Sequence, residues 1–183
     1  MKKGKNEARY NSQMHDLDLL TFARGNSAHE SGHIVVLFKA GRLVDLRFLP
    51  HETAADGIKG IFEANTGTEL GEEDCVALAA GMAGELVCLG HYNSERVLHD
   101  RQQIQRTVGK ALEDFAPEAQ ETIEQNLRFF SLLNIEVLNR ITALLLDLGG
   151  VDWEKLPPTI PIITLTEVEQ VYQRAESEKS TTP

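Results

Sequence analysis

Residues 28–36 read AHESGHIVV, with His29 and His33 four positions apart and Glu30 directly after the first histidine. In a helix, four residues advance the chain only about 40° beyond a full turn, so both imidazoles project from one face in successive turns. Two neutral imidazoles placed this way can reach a single ion, and imidazole suits Zn²⁺ at roughly 2.0–2.1 Å. Glu30 is then positioned to take a proton from a metal-activated water as it attacks a carbonyl carbon. This is the HExxH arrangement of zinc metallopeptidases. A His-Glu-His set can also be an ordinary polar helix face. Here the apolar run Ile34-Val35-Val36-Leu37-Phe38 follows at once, so the histidines open a buried helix, where imidazoles need partners.

Working outward, Asn26 or Ser27 can cap this helix and Gly41 can stop it after Ala40. Before it, Leu17, Leu19, Leu20 and Phe22 predict a separate short helix ending at Arg24-Gly25-Asn26-Ser27. RLVDLRFLP (42–50) predicts a strand, and GIKGIFEAN (57–65), with its glycines and lysine, predicts an edge strand. The remainder predicts helices over 72–90 and 94–115, then a long one from Pro117 to the paired Gly149 and Gly150. A last helix starts at Thr164, where Thr164-Leu165-Thr166-Glu167 fits a capping box, and LPPTIP (156–161) predicts an extended connector before it. Small residues at 79–84 leave room for another helix or a metal site to approach. The expected class is α+β and mainly helical, with a sheet of two or three strands and a helical C-terminal half. A single domain is expected over 13–177, built from a helix-helix-strand part (13–65) and a helical part (71–177), with disordered tails at 1–12 and 178–183.

Composition narrows the partners. Lys and Arg total 18 against 28 Asp and Glu, a formal charge of -10, which disfavours nucleic acid and anionic lipid. The aliphatic runs are shorter than the roughly 20 apolar residues that span a bilayer, and no apolar stretch follows the basic N-terminus. A cytoplasmic protein without membrane or nucleic-acid partners is the expectation. Cys75 and Cys88, if on one helix, stand roughly 20 Å apart, beyond disulfide reach, and read as small buried apolar residues.

A catalytic zinc takes three protein ligands and keeps one position open for water. The downstream candidates for the third are His51, Asp74, Glu85, His91, Glu95, His99 and Asp100, and spacing does not choose among them.

Four segments in order add a resemblance. HESGHIVV, then RLVDLRFLP, then GIKGIFEAN, then AAGMAGELVCLG (79–90) with His99-Asp100 beyond it resemble the peptidase domain of the FtsH family of ATP-dependent zinc proteases, the M41 peptidases. Gly81, Ala83, Glu85, Leu86 and Gly90 carry the fourth match, and the likeness covers about residues 25 to 115. It implies a zincin-like metallopeptidase fold and one Zn²⁺ per chain held by His29, His33 and Asp100. It also implies Glu30 as the base, Glu85 as a carboxylate supporting a ligand histidine, and a polypeptide substrate held along Gly57, Ile58, Lys59, Gly60 and Ile61. Asp100 can also be read as a helix N-cap, and by itself it ranks no better than level with Glu85 as a ligand; with the resemblance it ranks first, Glu85 second and His99 third. Met82 stands where the family has an arginine, Gly84 where it has the first glutamate of a pair, and Ser94–Leu98 replaces a glycine-rich stretch.

There is no GxxxxGK[ST] loop, so a stand-alone zinc endopeptidase without intrinsic ATPase is expected, with room for a substrate-delivering partner. The alternatives are a peptidase that cuts one regulatory protein, and a weakly active or inactive metal-containing interaction protein that docks peptides on its edge strand.

Overall fold

A computed structural model describes residues 4–50, 60–68, 71–148 and 156–179. In chain order the elements are α1 (Gly4–Lys39), β1 (Asp45–Pro50), β2 (Gly60–Asn65), α2 (Cys75–Leu89), α3 (Leu98–Val108), α4 (Ala116–Gln125), α5 (Leu127–Leu148), β3 (Ile160–Thr164) and α6 (Leu165–Lys179). The protein is mainly helical with one small antiparallel sheet, the α+β arrangement expected.

The first helix differs from expectation. It runs unbroken from Gly4, through the segment read as a disordered tail and through the break read at Arg24-Gly25-Asn26-Ser27. The polar residues that would cap a new helix bond backward instead: Asn26 Nδ2 donates to the Phe22 carbonyl at 2.9 Å and Ser27 Oγ to that of Arg24 at 3.0 Å. Gly25 is not a breaker either, because its missing Cβ leaves room for the Arg96 guanidinium. From Ala28 to Leu37 the helix is buried on nearly all sides.

Three later expectations also shift. The helix read over 94–115 is shorter, ending where Gly109 takes φ +68, the left-handed conformation glycine adopts freely. The long helix after Pro117 is broken at Asn126 into α4 and α5. Most of LPPTIP does remain outside regular structure, but Ile160 and Pro161 begin a third strand. The capping box forms as read: Thr164 N–H donates to Glu167 Oε2 at 2.8 Å, and Glu167 N–H returns to Thr164 Oγ1 at 3.4 Å.

The sheet order is β2-β1-β3, both pairs antiparallel, so β2 is an edge strand among the described residues. Register pairs Phe48 with Phe62, and their rings meet at 4.9 Å on the buried face. Pro161 sits on β3, the other edge of the sheet among the described residues, the kind of strand in which proline is tolerated. Residues 57–59 of the expected edge strand lie outside the described residues.

α1 is the centre of the helical layer, packing on α2 along one side and α5 along another. Phe38 of α1, Phe129 of α5 and Tyr172 of α6 form a ring cluster with centroids 5.2–5.3 Å apart. By length and composition α5 is apolar enough to cross a membrane, which the shorter aliphatic runs did not suggest. Phe129, Phe130, Leu133, Val137, Ile141, Leu145 and Leu148 are its buried residues, and Glu136 pairs with Arg140 at 2.8 Å on a more open face. That is also the pattern of a core helix.

The α1–α2 crossing is unusually close. Gly32 and Gly84 face each other, so that a Cβ on Gly84 would stand 3.0 Å from the Gly32 Cα and would overlap the Ala28 carbonyl oxygen. A Cβ on Gly32 would overlap the Ala80 carbonyl oxygen. Backbone on both sides cannot move aside cheaply. Gly32→Ala is expected to destabilise the protein by about 2–3 kcal/mol in urea unfolding, from overpacking; an unchanged midpoint would contradict this crossing.

Candidate metal centre

α1 delivers the two histidines from successive turns, and the close crossing brings α2 against them. His29 Nδ1 lies 2.9 Å from Glu85 Oε1, and His33 Nδ1 lies 2.7 Å from the Ala77 carbonyl oxygen. A carboxylate and a carbonyl accept hydrogen bonds, so each Nδ1 carries the proton and each Nε2 is left with its lone pair. Those Nε2 atoms stand 3.1 Å apart.

α3 completes the group. Asp100, in its first turn, points inward rather than capping the helix, whose N-cap is Val97. Its Oδ2 is 3.2 Å from His29 Nε2 and 3.4 Å from His33 Nε2. His29, His33 and Asp100 are each buried, at 4%, 9% and 7% exposure. With both protons on Nδ1, Asp100 Oδ2 is a buried acceptor with no donor. Two lone pairs and a carboxylate oxygen thus converge on one point, an arrangement that repels itself unless positive charge sits there. Gly81 supplies the space, since a Cβ there would come within 2.6 Å of His33 Nε2 and would overlap the His29 ring. The donor set of two imidazoles and one carboxylate fits a divalent zinc-type ion.

A proton is the competing positive charge. Burial opposes a charged His29, but hydrogen bonding to Asp100 and Glu85 and the charges of Asp100 and Glu30 outweigh it, raising its pKa from 6.5 to about 10. His33 is raised as well, burial again being overcome, chiefly by the charge of Asp100. For Asp100, burial raises the pKa, but His33 and His29 together hold it well below the usual carboxylate range. Glu30 is buried beside the group and its pKa is raised by burial, against the pull of His29 and His33. The charge of Glu63 also contributes, which puts β2 close to Glu30.

Two of the other third-ligand candidates, Asp74 and Glu85, are engaged elsewhere. Asp74 pairs with Arg42 at 3.2 Å and accepts from the Gly71 N–H. Glu85 stands behind His29, its second oxygen accepting from the Asn93 N–H and from Arg96. His91, Glu95 and His99 are exposed, and His51 lies outside the described residues. Of the expected substrate strand, Gly60 and Ile61 lie on β2, while Gly57, Ile58 and Lys59 are outside the described residues. Sequence reasoning missed the Ala77 carbonyl, which as a backbone group leaves no residue signature, and the roles of Asn93 and Arg96. Compared with known proteins, the chain matches no family model, no curated protein and no solved structure.

The shifts set a pH dependence for the metal-free protein. The folded pKa of His29 is raised, so its contribution to stability is fully present below 6.5 and is lost as pH climbs towards 10; that of Asp100 is present above 3.8 and lost in acid. Thermal unfolding without metal should therefore show stability falling from pH 6.5 to 10. The added stabilisation by Zn²⁺ should grow from pH 6 to 8, as protons release the ring nitrogens. A zinc-induced shift in Tm that is equal across that range would contradict the arrangement.

Proposed function

We propose that this protein is a zinc-dependent endopeptidase with a zincin-like fold of the FtsH (M41) kind, acting on polypeptide. The observation that carries the reading is the convergence of His29 Nε2, His33 Nε2 and Asp100 Oδ2 beside the buried carboxylate of Glu30. An interaction protein with a structural metal would have no need for Glu30 at that position. The four segments that resemble the family in order support the same reading.

His29, His33 and Asp100 would hold the ion, and Glu85 and the Ala77 carbonyl orient the two rings from behind. Zinc, when bound, supplies Lewis acidity towards water and a substrate carbonyl. Glu30 takes the proton of the attacking water and passes it to the departing amine as the peptide C–N bond breaks. Burial raises its pKa, which strengthens it as a proton acceptor. The outer edge of β2 is unpaired among the described residues and passes close to Glu30. An extended substrate segment adds there as a further strand, its main-chain groups pairing with those of β2. Only an unfolded segment can do so, which makes flexible polypeptide the substrate class.

Two variants test this together. Glu30→Gln should retain zinc while cleavage of an unfolded protein substrate falls by about 10²–10⁴-fold. Asp100→Ala should lose tight zinc binding, whereas Glu85→Ala should only weaken it, by about 10–100-fold. Unchanged turnover in Glu30→Gln would overturn the mechanism. Stoichiometric zinc with no cleavage of any unfolded substrate by the wild type would favour the interaction protein instead.

A further inference from the structure

Glu85 is the most buried carboxylate of the site, at 1% exposure, and its two oxygens are divided between two tasks. Oε1 faces His29 Nδ1, while Oε2 accepts from the Asn93 N–H at 2.8 Å and from Arg96 Nη1 at 2.7 Å. The loop that brings these donors is itself shaped by Asn93, whose Oδ1 accepts from the N–H groups of Glu95 at 2.8 Å and Arg96 at 3.2 Å. Four residues after Arg96 comes Asp100, and α3 is under way once Arg101 N–H bonds the Val97 carbonyl at 3.0 Å. The same short segment therefore grips the carboxylate behind His29 and delivers the carboxylate in front of it.

The guanidinium is held on its far side by α1. It lies over Gly25, one turn before His29, where any Cβ would overlap Nη2 and come within 2.6 Å of Cζ. Arg96 is mostly buried, its side chain 18% exposed. A planar, permanently charged fork fits between a backbone surface and a carboxylate oxygen in a way a flexible ammonium does not. Gly25 and Arg96 are thus complementary, and together they join α1, α2 and the start of α3.

We propose that Arg96 is a positioning residue for the metal centre: seated on Gly25, it fixes Glu85 against His29 and anchors the loop that presents Asp100. The proposal rests on the metal reading given above. It assigns Arg96 no contact with substrate or ion; its effect passes through Glu85 and through the loop. Without it, Glu85 Oε2 keeps only the Asn93 N–H as donor and is less firmly fixed, and the His29 ring and the Asp100 carboxylate lose their common anchor.

The test compares the full-length wild type with Arg96→Met, Arg96→Lys and Gly25→Ala. Zinc affinity is measured by chelator competition, and the visible absorption of the Co²⁺-substituted protein reports ligand geometry. Arg96→Met should bind Zn²⁺ about 10–100-fold more weakly, the size expected for losing an outer support of a ligand histidine, with altered Co²⁺ bands. Arg96→Lys should recover part of the affinity. Gly25→Ala, which displaces the guanidinium but leaves its charge in the protein, should move both readouts in the same direction and stands in should Arg96→Met fail to fold. Arg140→Met, which breaks ion pairs to Glu136 and Glu167 remote from the centre, should change stability alone. Wild-type Zn²⁺ affinity and an unchanged Co²⁺ spectrum in Arg96→Met or Gly25→Ala, even with a lowered unfolding midpoint, would overturn the proposal while leaving the metal centre standing. A wild type that binds no Zn²⁺ would overturn both.

Discussion

Two imidazole nitrogens and a carboxylate oxygen, all within 3.4 Å of one another and buried, form an arrangement that only a positive charge makes stable. The surrounding structure works to maintain it. The Ala77 carbonyl and Glu85 hold one proton of each ring on its outer nitrogen, so the inner nitrogens of the neutral rings present lone pairs to each other. Gly81 removes the one Cβ that would fill the space. A proton or a divalent cation answers the charge demand equally well in sign, but three convergent donors match a metal ion's coordination better than they match one hydrogen.

Building that convergence dictates much of the fold. The histidines must come from one buried helix, and a helix can bring a neighbour's backbone against their rings only where both surfaces lack side chains. Gly32, Gly84 and Gly81 meet that need, at the cost of the backbone entropy glycine carries. α5 and α6 close the other side of α1 with aromatic packing, and β2, an edge strand among the described residues, carries Glu63 near enough to Glu30 for their charges to interact. Stability and site geometry share the α1–α2 contact.

Local signals in the sequence were sufficient for local features. The 3.6-residue periodicity, the Thr164–Glu167 capping box, the glycine stop of α2 at Gly90 and the edge character of β2 all read through, because each depends on residues near in sequence. Features decided by distant partners did not. β3 exists because β1 offers it a pairing edge, which nothing in Ile160-Pro161 declares. The break expected at residues 24–27 fails because Asn26 and Ser27 find carbonyls of their own helix and Gly25 accommodates Arg96 from 71 positions away, a partner invisible to any local pattern. In the site, His29, Glu30 and His33 declare themselves by spacing. Asp100 among seven candidates does not; the family resemblance alone favoured it, and three-dimensional geometry now brings it to the same point.

The central claim is that His29, His33 and Asp100 hold one zinc ion. X-ray absorption at the zinc edge, on protein loaded with about one equivalent of Zn²⁺, tests it directly. The account predicts two imidazole nitrogens with oxygen in the remaining positions, at the roughly 2.0–2.2 Å usual for such ligands. Sulfur in the coordination shell, drawn from Cys75 or Cys88, or zinc too weakly held to survive desalting, would contradict it.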